Sequence, residues 1–103
     1  MPLRTWTIAS LALAAALAAG HTQAADAEAG GRLAKTWCAN CHLVGDGVGV
    51  ASDAAPPFSL VATYPEGRIR GFIADPHPPM PKLQFTRQQI DDIVAYLQSL
   101  QGG

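Results

Sequence analysis

The chain has 103 residues, seven of them basic and eight acidic, for a formal charge of −1. It carries no basic stripe of the kind that phosphate contacts require, so a nucleic-acid partner is not expected. With only two cysteines there is no disulfide framework to replace a hydrophobic core.

Residues 1–24 read as an export signal. Arg4 supplies the positive n-region, Ile8 to Ala19 an apolar h-region, and Thr22-Gln23-Ala24 a small-residue cleavage site. The apolar run is well short of the ~20 residues that span a bilayer. A cleaved leader is therefore expected rather than a membrane anchor, leaving one domain over residues 25–103. Its loss removes Arg4 and leaves a slightly acidic remainder. A domain this small barely offsets its chain entropy with a core of its own and calls for a staple.

Asp26 to Trp37 reads as a helix with acidic residues in its first turn. Leu33 and Trp37 stand four apart on one apolar face, and the Gly30-Gly31 pair suits the close approach of another helix.

Cys38-Ala39-Asn40-Cys41-His42 follows, and C-x-x-C-H is the attachment signal for a covalent c-type haem. If the segment is helical, residues three and four apart share a face. Both thiols can then add to the vinyl groups along one porphyrin edge while His42 reaches iron as the proximal ligand. Three other readings fit less well. A thioredoxin-like pair belongs beside a βαβ pattern, and no β-rich run follows residue 25. A zinc site from Cys38, Cys41, His42 and His77 would need adjacent residues to converge and lacks a close histidine pair. A Cys38–Cys41 disulfide closes too small a loop to stabilise much and leaves His42 unexplained. Because thioethers are made outside the cytoplasm, the export signal and the motif support each other, and a periplasmic protein is expected.

Leu43 to Ala55 is glycine-rich and nonperiodic and reads as a flexible connector. Pro56-Pro57-Phe58 brings a stiff bend. The Pro56 carbonyl is a candidate acceptor for the second ring nitrogen of His42, a plain turn being the equal alternative. Glu66 to Ala74 reads as a short helix with Ile69, Phe72 and Ile73 on one face, stopped by Asp75-Pro76. Arg68 and Arg70 flank that face, either solvated or paired with a haem propionate.

Apart from Met1, Met80 is the only methionine, and it sits among prolines in Asp75-Pro76-His77-Pro78-Pro79-Met80-Pro81, which cannot be helix. An extended, low-entropy loop suits holding a soft sulfur against iron, so Met80 is taken as the second axial ligand and His77 as its competitor. The last helix opens with a Thr86/Gln89 capping box and carries Ile90, Ile93, Val94, Leu97 and Leu100 as one apolar stripe.

Taken in order, Gly30, the Cys38–His42 motif, Pro56-x-Phe58, Ile69-x-x-Phe72-Ile73-x-x-Pro76, Met80 and Asp92-Ile93-Val94-Ala95-Tyr96-Leu97 resemble the class I monohaem cytochromes c, in their short bacterial form. The resemblance implies an all-α fold of three to four helices wrapped around one covalent haem, with terminal helices crossing near Gly30 and Tyr96. It also implies iron held by His42 and Met80, with Pro56, Phe58 and Phe72 against the cofactor. Two departures stand out. Ala34 occupies the usual place of an aromatic that faces the last helix, so Leu33 or Trp37 must fill that contact. Phe72 replaces a tyrosine whose hydroxyl approaches the methionine sulfur.

A site with both axial positions filled implies outer-sphere transfer of single electrons and no catalysis. The expected function is a monomeric periplasmic shuttle between redox proteins. The first alternative is a tightly bound electron-transfer subunit of a periplasmic dehydrogenase or oxidase complex. The second is a gas sensor or peroxidase with a labile sixth position.

Overall fold

Asp26 starts the first helix by accepting hydrogen bonds on its carboxylate from the Glu28 and Ala29 amides at 3.0 and 3.1 Å, a cap that contributes about 1 kcal/mol. In this computed structural model, which describes residues 24–102, α1 runs Ala27–Trp37 and a small antiparallel hairpin follows, β1 (Leu43–Gly45) with β2 (Val48–Gly49). Three further helices complete the chain: α2 (Phe58–Val61), α3 (Glu66–Ala74) and α4 (Arg87–Gln101). The expected export segment lies outside the described residues. Among the described residues no helix is long and apolar enough to cross a membrane.

The frame of the molecule is the crossing of α1 and α4. Ile93, Val94 and Leu97 of the last helix are each 2 % exposed, with Ile90 and Leu100 packed at the margin of the same stripe. They meet Ala34 of α1, Val44 of β1, Phe58 and Ala62 around α2, and Ile69 of α3 in one core. At the crossing Gly30 has no room for a side chain, because a Cβ there would overlap the backbone carbonyl of Asp92. The Asp92 carboxylate is itself buried. It accepts from the Asp26 amide at 2.8 Å and from the Gln88 side chain at 2.9 Å, tying the start of α1 to α4. The Thr86/Gln89 capping box opens α4 as its sequence predicts.

Four features depart from the sequence reading. Of the two residues offered for the helix contact, Leu33 packs against the core, whereas Trp37 is 52 % exposed. Gly30, Gly31 and Ala34 bring α1 too close to α4 for a ring from this side, and the aromatic there is Tyr96 of α4, lying on Gly31. The glycine-rich connector is an ordered hairpin, because Gly45, Gly47, Gly49 and Asp46 all adopt positive φ and turn the chain back on itself. The bend after Pro56 carries a short helix, α2, with Phe58 buried. Arg70, still partly exposed, is paired with carboxylates rather than free, 2.8 Å from Asp91 and 3.7 Å from Glu66.

Candidate haem site

The five-residue motif does not extend α1. The helix ends at Trp37, Cys38 serves as its C-cap, and the motif folds into a separate turn. In that turn the Cys38 carbonyl accepts from the Cys41 amide at 3.2 Å and from the His42 amide at 2.9 Å. The i→i+3 and i→i+4 bonds keep the helix-like spacing that the chemistry needs, so the expectation of one helical turn holds in local form although α1 itself stops short.

Both thiols are free, Cys38 half-buried and Cys41 exposed. Burial, with Cys41 as the lesser cause, pushes the Cys38 thiol up to about 11. A dithiol oxidoreductase needs the opposite, a thiol whose pKa is lowered to supply thiolate near neutrality. Among the described residues no three His, Cys, Asp or Glu side chains are grouped to hold a metal ion. The zinc reading therefore lacks its ligand set.

His42 is oriented from two sides. Its Nδ1 donates to the carbonyl oxygen of Pro56 at 2.7 Å, the contact that competed with a plain turn in the sequence. A carbonyl only accepts, so in the neutral ring the proton sits on Nδ1 and Nε2 presents a lone pair. The same bond fixes the orientation of the ring. The Phe58 ring lies 5.3 Å from the imidazole centroid, tilted by 57°. The His42 carbonyl accepts from the Val50 amide at 3.2 Å, which seats the motif on the hairpin.

Met80 is half-buried and closes a turn in which its amide donates to the His77 carbonyl at 3.0 Å. The exposed His77 ring stands edge-on to half-buried Phe72, centroids 6.2 Å apart. Arg68, flanking the same helix, places its guanidinium 4.6 Å from the Tyr64 ring centre and 5.5 Å from that of Phe72, a cation–π pairing. Direct contacts thus join Cys38, Cys41, His42, Pro56 and Phe58 in one group, and Phe72, His77 and Met80 in another. The donor set fits a c-type haem: two unbridged thiols, an imidazole with Nε2 presented, and a thioether in a proline-bounded turn.

A sequence model of the family described as cytochrome c oxidase, cbb3-type, subunit III matches residues 25–97. Cytochrome c-552 of Bradyrhizobium diazoefficiens is 44 % identical over 93 residues, covering 87 % of this chain and 89 % of that protein. The chain belongs to this family of small c-type cytochromes. No solved structure matches it. Membership of the c-type cytochromes implies a c-type haem, a role in electron transfer rather than catalysis, and a periplasmic location.

The resemblance places Asp92 and Tyr96 in the last helix and Tyr96 at the helix crossing, but the sequence does not show what their side chains bond. Tyr96 donates its hydroxyl to the Val44 carbonyl at 2.5 Å, two residues past His42. No local pattern marks these pairings, since the partners of Tyr96 and Asp92 lie 52 and 66 positions away.

Proposed function

We propose that a single haem c is joined by thioethers to Cys38 and Cys41, with iron held by His42 and Met80. Pro56, Phe58 and Phe72 complete its surroundings. The loaded domain serves as an electron-transfer subunit of a periplasmic oxidase or dehydrogenase complex. Residues 1–24 are its cleaved export signal, a reading supported by a family match that starts at residue 25.

The observation that carries the site is the bond from His42 Nδ1 to the Pro56 carbonyl, made beside two unbridged thiols. When bound, the group supplies a one-electron Fe(II)/Fe(III) couple. The chain's own part is to hold two ligands and keep water away. Pro56 orients the imidazole, the turn from His77 to Met80 restrains the sulfur, and Phe58 and Phe72 offer apolar surface. Methionine sulfur and apolar burial both favour the reduced, less charged state and raise the potential.

Two observations favour a docked subunit. The matching family is described as an oxidase subunit. The surface leaves Trp37, Val50 and Leu60 about half exposed. Trp37, one residue before the first thiol, is the kind of large aromatic that anchors protein interfaces. In a gently solubilised native extract, the haem-bearing species is expected to elute with a large complex, and Trp37→Ala should weaken that association by about tenfold or more. Elution of the native protein as a monomer would contradict the subunit reading. It would support the second one, a freely diffusing carrier, which is favoured by near-full-length similarity to a protein named simply as a cytochrome c.

A further inference from the structure

The segment that carries Cys38, Cys41 and His42 is gripped at both ends by one side chain. On its N-terminal side stands α1, where the Tyr96 ring lies directly on Gly31; a Cβ there would come within 3.0 Å of the ring carbons. On its C-terminal side stands β1, where the Tyr96 hydroxyl donates to the Val44 carbonyl at 2.5 Å. Val44 is fully buried in the assembled fold, and the Tyr96 hydroxyl is the donor that its carbonyl meets there. Gly45 makes the approach possible. Its φ of +116° suits glycine, and a Cβ at this position would stand 2.6 Å from the hydroxyl oxygen.

Resting on the ligation reading above, we propose that Tyr96 is a positioning residue for the iron site, whose hydroxyl fixes β1 against the helix pair and so sets the placement of His42. Pro56 controls rotation of the imidazole, while Tyr96 controls the backbone from which the ring projects. The two act at different points: Pro56 bonds the ring itself, and Tyr96 anchors the chain two residues beyond it. Burial, with the Asp46 carboxylate as the lesser cause, raises the Tyr96 phenol above its ordinary range. The hydroxyl therefore stays a donor through the neutral range.

Tyr96→Phe keeps the ring on Gly31 and removes only the donor. The test compares the haem-loaded variant with wild type by Fe(III) electron paramagnetic resonance, whose g-values respond to imidazole orientation, and by potentiometry. The result expected is normal covalent haem and a retained sulfur-to-iron near-infrared band, with g-values and midpoint potential both displaced. Thr86→Ala serves as the control. It removes the cap of α4 without touching the Tyr96–Val44 bond and should lower stability while leaving both signals unmoved. Unchanged g-values and potential in Tyr96→Phe would overturn the inference alone, as would an equal displacement in Thr86→Ala. A wild-type protein lacking the near-infrared band would overturn the ligation reading, and this inference with it.

Discussion

Gly30→Ala is expected to destabilise the fold, its added methyl group costing about 3 kcal/mol, at the upper end of what overpacking usually costs. The added Cβ would overlap the backbone carbonyl of Asp92, and a backbone atom inside α4 cannot swing aside as a side-chain tip can. Relief requires moving α1 from α4, which would also strain the bond from the Asp26 amide to the buried Asp92 carboxylate. Alanine's better helix propensity returns only about 1 kcal/mol. For a domain of this size the net loss of about 2 kcal/mol corresponds to a fall in melting temperature of roughly 8–16 °C. Gly71→Ala is the matched opposite. It lies within α3 with nothing within 4 Å of its added Cβ, so it should stabilise by about 0.5–1 kcal/mol. Thermal melts of the two variants beside wild type check both signs. A Gly30→Ala protein as stable as wild type would mean that the helices do not meet at this point.

Met80→Ala is expected to leave covalent haem in place while removing the near-infrared sulfur-to-iron band, lowering the potential and admitting carbon monoxide to the reduced iron. Thioether attachment depends on Cys38 and Cys41, on the far side of the chain from the Met80 turn in sequence, so loading should survive. Loss of a methionine ligand removes the stabilisation that soft sulfur gives the reduced state. His77→Ala, by contrast, should keep the band, because the exposed His77 ring faces Phe72 and its role in the turn is played by its backbone carbonyl. A near-infrared band that persists in Met80→Ala would take Met80 out of the coordination sphere.

The elements of the fold differ in how much of them is legible in the sequence. The last helix was readable in full, because a capping box and an apolar stripe are local patterns, and Thr86, Gln89, Ile93, Val94 and Leu97 all stand where that pattern puts them. Glu66–Ala74 was readable for the same reason, with a helical face and Asp75-Pro76 to stop it. The haem motif was legible as chemistry, yet its local form was not: Cys38 caps α1 and the motif turns separately. The hairpin escaped periodicity because its shape rests on positive φ at Gly45, Asp46, Gly47 and Gly49 rather than on alternating apolar residues. Trp37 misled because helical spacing assigns it a face but cannot register that Gly30, Gly31 and Ala34 have already brought α4 into close contact. The bonds from Tyr96 to Val44 and from Asp26 to Asp92 were invisible for a simpler reason. They join a side chain to a distant backbone atom, and only the assembled fold brings such groups together.

The covalent bond between the Cys38 and Cys41 sulfurs and a haem is the claim on which the ligands, the electron-transfer role and the positioning role of Tyr96 depend. It is tested most directly by acid–acetone extraction of the purified periplasmic protein followed by a pyridine haemochrome spectrum. The expected result is colour that stays with the polypeptide and a haemochrome spectrum typical of a porphyrin whose two vinyl groups are both saturated. Haem that passes into the solvent, or a colourless protein from a host competent in thioether formation, would contradict it.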